Sequence, residues 1–143
     1  MEIVQTQGLC KRYGDAMRVR ELALSVPEGT VYGFLGPNGA GKSTFLRMLA
    51  GILKPDEGRT TIDDADIFEN VDLKQRCFYI SDEQYFFSGI TPEEMKQYYK
   101  TLYPAFDEDR YKRLMKAFDL DERRKVRTFS KGMKKQVSVI LGV

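Results

Sequence analysis

The pattern of hydrophobic and polar positions divides the chain into a β-rich part and a helical part. Residues 2–9 and 17–26 predict two strands, and the second shows an imperfect alternation of apolar and polar side chains. Residues 30–35 and 77–80 are apolar almost without interruption. Such runs are typical of strands that are buried on both faces in the middle of a sheet. Residues 60–62 and 67–68 predict two further short β segments.

After Thr91 the spacing of apolar side chains becomes helical. The tetrapeptide Thr91-Pro92-Glu93-Glu94 offers an N-cap, a proline at the first helical position and acidic residues in the first turn. We predict one helix that ends before Pro104, a second near residues 111–118 and a last one from about Ser130. The apolar stripes of the first two helices are typical of core positions: Met95, Tyr98, Tyr99 and Leu102, then Tyr111, Leu114, Met115 and Phe118.

The composition is that of one globular domain. The chain has 143 residues, of which 42% are hydrophobic and 31% are charged, and its net charge is +2. It has two cysteines and no histidine, so neither a disulfide framework nor imidazole-based catalysis is expected. Basic residues outnumber acidic ones between Lys96 and Lys135. Because they alternate with apolar helical positions, solvated helix faces explain them better than an anion-binding surface, which stays the alternative.

Residues 36–44 carry the strongest chemical signal. They match the pattern G-x-x-x-x-G-K-[ST] and follow an apolar run, which is the context of a phosphate-binding loop. Glycine lets backbone N–H groups converge on an anion, and the helix predicted from Lys42 to about Ala50 adds its positive end. A chance Gly-rich turn is the less favoured alternative. The candidate nucleotide-binding residues are Gly36, Pro37, Asn38, Gly39, Ala40, Gly41, Lys42, Ser43 and Thr44. Lys42 is expected to contact the β- and γ-phosphates, and Ser43 to bind Mg²⁺.

A second motif points to a family. Phe129-Ser130-Lys131-Gly132-Met133 resembles the signature motif of ATP-binding-cassette (ABC) ATPases, usually Leu-Ser-Gly-Gly-Gln. It matches at Ser130 and Gly132 and departs from the motif at Lys131 and Met133. Variants of this kind resemble the branch that pairs with exporters and resistance permeases. The resemblance implies an α/β P-loop NTPase fold with an N-terminal antiparallel β part and a helical insert. It divides the chain into three parts: a β part with the P-loop core at about residues 1–90, a helical subdomain at about 91–128, and the signature motif with its helix at 129–143.

Two further positions take roles from this resemblance. Tyr13 lies where the family has an aromatic residue that stacks on adenine, although a packed surface tyrosine is the alternative. Residues 78–83 resemble the Q-loop region, and Asp82 stands at the position of the usual glutamine. Our hypothesis is that Asp82 is a catalytic residue together with Lys42 and binds Mg²⁺ together with Ser43. The alternative is that Gln84 takes this role through a shifted loop.

The resemblance also implies a function. We expect an ATP-binding subunit of a membrane exporter with ATP and Mg²⁺ as cofactors. Its partners would be a second ABC ATPase domain and a membrane permease, with no nucleic acid. Ser130 and Gly132 would contact the γ-phosphate of ATP held by the second domain. The permease would keep the subunit in the cytoplasm at the inner face of the membrane.

Alternatives are a soluble ABC protein that acts on ribosomes or DNA, and a nucleotide-binding fragment without catalysis. No Walker B aspartate, general base or switch histidine can be assigned. We therefore expect a domain truncated before the Walker B strand that binds ATP but hydrolyses it poorly.

Overall fold

The fold consists of two compact units, Met1–Cys77 and a second that begins at Phe78. The computed structural model describes residues 1–142. The first unit contains a four-stranded antiparallel sheet in the order β2-β1-β3-β4. Its strands are β1 (Glu2–Tyr13), β2 (Ala16–Pro27), β3 (Glu57–Ile62) and β4 (Ala65–Asp66). The predicted antiparallel β part is therefore confirmed, with longer first strands than expected and with β4 two residues before the predicted segment.

One helix packs on this sheet. Helix α1 (Lys42–Leu49) buries Phe45 and Met48 in a cluster with Leu9 of β1 and Val19 of β2. It ends at Leu49, one residue before the predicted end near Ala50, and is followed by Gly51, whose φ is 64°. The N–H groups of residues 51 and 52 donate to the carbonyls of residues 48 and 47, which satisfies the last turn of the helix. A short helix, α2 (Val71–Lys74), completes this unit.

Two predicted strands do not form. Residues 30–35 and 77–80 have no regular structure, and Val31 and Leu35 are exposed. A strand requires a neighbour for its backbone hydrogen bonds, and no strand of the described residues lies beside either segment. Phe34 is the exception within the first segment, because its ring lies 4.7 Å from that of Phe45 and joins the core. The apolar composition of these two segments therefore suits a buried strand, but neither segment forms a strand here.

The second unit is helical, as predicted. It contains α3 (Pro92–Leu102), α4 (Glu108–Ala117), a 3-10 helix (Val126–Thr128) and α5 (Lys131–Leu141). Thr91 caps α3 in a reciprocal arrangement with Glu94, so the local sequence sets the first residue of this helix. The three α-helices share one apolar core, whose buried members are Met95, Tyr111, Met115, Leu120, Phe129, Val137, Ile140 and Leu141.

The buried face of α3 is rotated relative to the prediction. Tyr98 and Leu102 are exposed, whereas Lys96 is only 4% exposed. The Lys96 ammonium lies 3.3 Å from Glu108 Oε1 and 3.9 Å from Glu122 Oε2, and 5.3 Å from the centroid of the Tyr111 ring. Partners from distant positions in the sequence thus make burial of this charge possible. None of the helices within residues 1–142 has the length and apolar character that a membrane span requires.

Candidate functional site

The backbone of residues 36–44 forms an open, donor-rich loop. Gly39 and Gly41 have φ values of 83° and 85°, a left-handed conformation that favours glycine. A Cβ atom at Gly41 would collide with the carbonyl oxygen of Arg18 on β2, whereas one at Gly36 would make an ordinary 3.5 Å contact with Ala40. The N–H groups of Gly41 and Lys42 find no acceptor within the described chain. The loop therefore presents free donors at the start of α1, as an anion-binding nest does.

The Lys42 side chain folds back across this loop. Its ammonium donates to the carbonyl of Gly36 at 2.6 Å and to that of Pro37 at 2.7 Å. These bonds hold a positive charge at the mouth of the loop, beside the free N–H groups. The hydroxyls of Ser43 and Thr44 make no hydrogen bond with the rest of the described residues, and Ser43 is exposed. Both hydroxyls are therefore accessible to a ligand at the beginning of the helix.

Tyr13 lies at the turn of the β1–β2 hairpin, where it pairs with Ala16. Tyr13 is 46% exposed, and the Lys11 ammonium lies 5.9 Å from the centroid of its ring. Lys11 also bonds Asp56 at 2.7 Å, and this bond, followed by one from the Arg12 N–H, holds the pKa of Asp56 below its usual value. The ring is not packed into the core, so it is free to stack on a base.

The start of α5 carries the second predicted motif. Ser130 is the N-cap, and its hydroxyl oxygen accepts a hydrogen bond from the Met133 N–H at 3.2 Å. Phe129 is buried in the helical core and anchors the residue before the cap. Gly132 is exposed, and a Cβ atom there would meet nothing closer than Ser130 Oγ at 3.9 Å. Residues 130–132 are therefore held firmly while remaining accessible from solvent.

The segment with Asp82 lies against the same helix. The Lys135 ammonium donates to the Ser81 carbonyl at 3.1 Å. Asp82 and Gln84 line a cavity of about 700 Å³ together with Gly132. The other residues around this cavity are Glu83, Lys131, Lys134 and Lys135. Asp82 and Gln84, the two candidates for the glutamine role, thus line the same cavity as Gly132 of the signature-like motif.

Comparison with known proteins identifies the family. The family model described as ABC transporter matches residues 19–142. The chain belongs to this family. Among curated ABC relatives, the ATP-binding protein YtrB of Bacillus subtilis is 29% identical over 139 residues, which is 97% of this chain and 48% of YtrB. The daunorubicin/doxorubicin resistance ATP-binding protein DrrA of Streptomyces peucetius is 48% identical over 73 residues, which is 51% of this chain and 22% of DrrA.

Solved ABC structures share the fold. An ATP-binding subunit of an ABC transporter superposes with a TM-score of 0.85 at 26% identity and covers 98% of this chain and 61% of its own. A bacterial Atm1-family ABC exporter with ATP bound has a TM-score of 0.82 at 22% identity, with coverage of 99% and 27%. The ABC ATPase fold predicted from the two motifs is confirmed. The matched residues span about half the length of YtrB and about a fifth of DrrA.

The two units divide the predicted site residues into two groups. Tyr13, Lys42 and Ser43 lie in the first unit, whereas Asp82, Ser130 and Gly132 lie in the second. The roles of Asp82 and Ser43 as ligands of one Mg²⁺ stay a prediction. Among residues 1–142, no group of three or more His, Cys, Asp or Glu side chains is arranged to hold a metal.

Sequence reasoning missed the charged residues around the cavity. Lys131 was noted only as a departure from the ABC motif, and Lys134 and Glu83 received no role. One signal was available, because Lys131 and Lys134 occupy the first turn of a helix, where cations oppose the helix dipole.

Proposed function

We propose that this chain is the ATP-binding part of an ABC exporter and binds Mg·ATP through residues 36–44. The loop geometry is the observation that supports the proposal. Two left-handed glycines, free N–H groups and the Lys42 ammonium create positive potential at the start of α1. In this proposal the triphosphate replaces the two carbonyls now bonded by Lys42, Ser43 binds the Mg²⁺ and Tyr13 stacks on the adenine.

Isothermal titration calorimetry with Mg·ATP tests the phosphate site. Lys42→Ala is expected to abolish the binding heat, because it removes the charge at the mouth of the loop. Arg47→Ala is the matched control, since Arg47 is an exposed cation on the same helix. Circular dichroism verifies that both variants are folded. Equal heats for the wild type and Lys42→Ala would exclude the loop as the nucleotide site.

The second copy of the ATPase domain is part of this proposal. Ser130 and Gly132 of one copy contact the γ-phosphate held by residues 36–44 of the other. The exposed Gly132 supports this arrangement, because the backbone at this point has room for a ligand. Sedimentation with and without Mg·ATP measures the association. Gly132→Val is expected to prevent nucleotide-dependent dimers while leaving the monomer's ATP affinity unchanged.

The permease contact is proposed at an exposed aromatic surface, defined as Tyr85, Phe87 and Tyr98. These rings meet edge to face at 5.9 and 5.7 Å, and Tyr85 is 82% exposed. Clustered aromatic side chains in this position are costly in water and suit an apolar helix of a partner. The names of DrrA and of the bacitracin transport ATP-binding protein BcrA of Bacillus licheniformis support an export role.

Membrane flotation from cells that express the tagged chain tests this contact. We expect the chain to float with membranes and Tyr85→Ser/Phe87→Ser to release it. Phe118→Ser is the matched control, because Phe118 is an exposed aromatic residue outside this surface. Sedimentation with ribosomes would favour the alternative of a soluble ABC protein. The energy-dependent translational throttle protein EttA of Haemophilus influenzae, whose name points to translation, is 41% identical over 71 residues, which is 50% of this chain and 13% of EttA.

Hydrolysis is the last part of the proposal. A family member at the inner face of the membrane would couple ATP turnover to its permease. The 143 residues alone are expected to bind ATP with slow turnover, because phosphoryl transfer needs a group that orients the attacking water. Steady release of phosphate by the purified chain, abolished by Lys42→Ala, would contradict this expectation.

A further inference from the structure

A cavity of about 270 Å³ is lined by residues of β3 and by residues at the end of β4, and we call it the β3 cavity. Three of its lining residues are almost completely buried: Met48 and Ile67 are each 1% exposed, and Thr60 is 3% exposed. Pro55 and Phe68 are half-buried. The remaining lining residues are exposed: Lys54, Asp56, Glu57, Gly58, Arg59 and Asp66. The β3 cavity therefore has an apolar interior and a charged mouth within the first unit.

The Thr60 side chain brings an unpartnered polar group to this cavity. Its hydroxyl oxygen is buried and makes no hydrogen bond with any of residues 1–142. Thr6 lies opposite on β1, and its hydroxyl accepts from the Leu24 N–H at 3.0 Å and donates to the Leu22 carbonyl at 3.3 Å. Buried hydroxyls are normally paired in this way, because an unpaired one loses its bonds to water without replacement. A ligand that bonds the Thr60 oxygen would remove this deficit.

Hydrogen bonds hold the two sides of the β3 cavity in place. The Ile67 N–H donates to the Thr60 carbonyl at 3.2 Å, and the Phe68 N–H donates to the carboxylate of the last residue of β4 at 2.8 Å. The Phe68 ring also attracts the ammonium groups of Lys54 and Lys74, which lie 5.5 and 5.6 Å from its centroid. The cavity is thus formed before a ligand arrives, so binding requires little reorganisation.

We propose that the β3 cavity binds a small, uncharged aromatic molecule that carries one hydrogen-bonding group. A cavity of about 150 Å³ holds benzene, so about 270 Å³ has room for two fused rings. The Met48 thioether and the Phe68 ring make favourable contacts with aromatic rings. Lys54 and Arg59 stand beside three carboxylates at the mouth, so a ligand with a net charge of either sign would meet a like charge. The Thr60 hydroxyl bonds the polar group of the ligand.

This site is separate from the proposed nucleotide site. Neither Tyr13 nor any residue of the 36–44 loop lines the β3 cavity. Met48 is the last but one residue of α1, whereas Lys42 is the first, so the two sites lie at opposite ends of this helix. The inference therefore does not rest on ATP binding, and Lys42→Ala is expected to bind the aromatic ligand as tightly as the wild type.

Nuclear magnetic resonance of the full chain, titrated with indole, tests this inference. Indole has two fused rings, no charge and one N–H group that the Thr60 oxygen can accept. We expect the methyl signal of Met48, assigned with Met48→Leu, to shift with a dissociation constant below about 1 mM. The ligand 1-methylindole keeps the rings but lacks the N–H, so it is expected to bind about tenfold more weakly. Indole-3-carboxylate should also bind more weakly than indole, because of its charge.

Thr60→Val removes the hydroxyl and keeps the shape of the side chain. It should weaken indole binding about tenfold and abolish the preference for indole over 1-methylindole. It should not lower the midpoint of urea unfolding, since the hydroxyl has no partner to lose. Thr61→Val is the matched control, because Thr61 is the next residue of the same strand and does not line the cavity. We expect it to change the affinity less than about twofold.

Three results would overturn the inference. The first is an unshifted Met48 signal up to the solubility limit of indole, which would mean that the cavity holds water only. The second is equal binding of indole and 1-methylindole by the wild type, a comparison that stays valid if Thr60→Val unfolds. The third is equal weakening by Thr61→Val and Thr60→Val. A chain that binds indole but not Mg·ATP would refute the proposed function alone, and the reverse would refute this inference alone.

Discussion

The first and third glycines of the 36–44 loop should respond differently to alanine. At Gly41 an alanine must adopt a φ of 85°, and its Cβ would meet the Arg18 carbonyl. At Gly36 the same change makes an ordinary contact with Ala40 at 3.5 Å, and the backbone there does not require a left-handed conformation. The sequence pattern alone treats both positions as equally essential.

The expected loss of ATP affinity in Gly41→Ala follows from two costs, the left-handed backbone and the collision of the new Cβ atom. A left-handed conformation costs an alanine about 1–2 kcal/mol, and the Arg18 carbonyl is backbone, so it cannot rotate away as a flexible side chain would. A loss of about 2 kcal/mol corresponds to about a 30-fold weaker affinity for Mg·ATP in Gly41→Ala. For Gly36→Ala the expected change is less than about threefold, since neither cost arises there.

Calorimetry with Mg·ATP measures both variants against the wild type. Urea unfolding of each variant separates a local change in the loop from a loss of the fold. The reasoning would be refuted if Gly36→Ala weakened ATP binding as strongly as Gly41→Ala. It would also be refuted if Gly41→Ala bound ATP with wild-type affinity.

Three further predictions concern the helical unit, and urea unfolding followed by circular dichroism measures each of them. Lys96→Met should cost about 2 kcal/mol because the buried Glu122 Oε2 atom loses the Lys96 ammonium at 3.9 Å, and adding Glu122→Gln should restore at least half of the loss; a further loss would contradict this reason. Hydrogen bonds from Lys100, Lys96 and Lys112 lower the pKa of Glu108 from 4.5 to about 2. The resulting stability should be present above pH 4.5 and lost as the pH falls towards 2, whereas Glu108→Gln should unfold with a weaker dependence on acid. Thr91→Ala should cost about 1 kcal/mol through the lost cap, and an unchanged midpoint would show that the capping box does not stabilise α3.

Local chemistry made part of the structure predictable. The first residue of α3 follows from Thr91 and Glu94, which bond each other's backbone within one turn. The beginning of α5 follows in the same way from Ser130. The loop of residues 36–44 was also predictable, because its glycines and Lys42 act through their own backbone and nearest neighbours. Where the determining contacts are close in sequence, the pattern was sufficient.

Features that depend on distant partners were not predictable. Residues 30–35 have the composition of a buried strand, but strand formation depends on a neighbouring strand that a local pattern does not contain. Lys96 is buried because Glu108 and Glu122 approach it from other segments. The exposed Tyr98 has the same explanation. Helical spacing identifies a row of apolar side chains on α3, but it does not show which members of that row face the core.

The carbonyl of Arg18 lies where a side chain at residue 41 would begin, so β2 and the loop of residues 36–44 pass close to each other. Because β2 pairs with the strand that ends at Tyr13, the proposed adenine and phosphate sites lie on connected backbone before a nucleotide binds. A backbone whose spacing is preorganised in this way loses little conformational entropy when a nucleotide binds. Substitutions in the β1–β2 hairpin that contact no ligand atom should therefore change nucleotide affinity, because they change the distance between the two proposed sites.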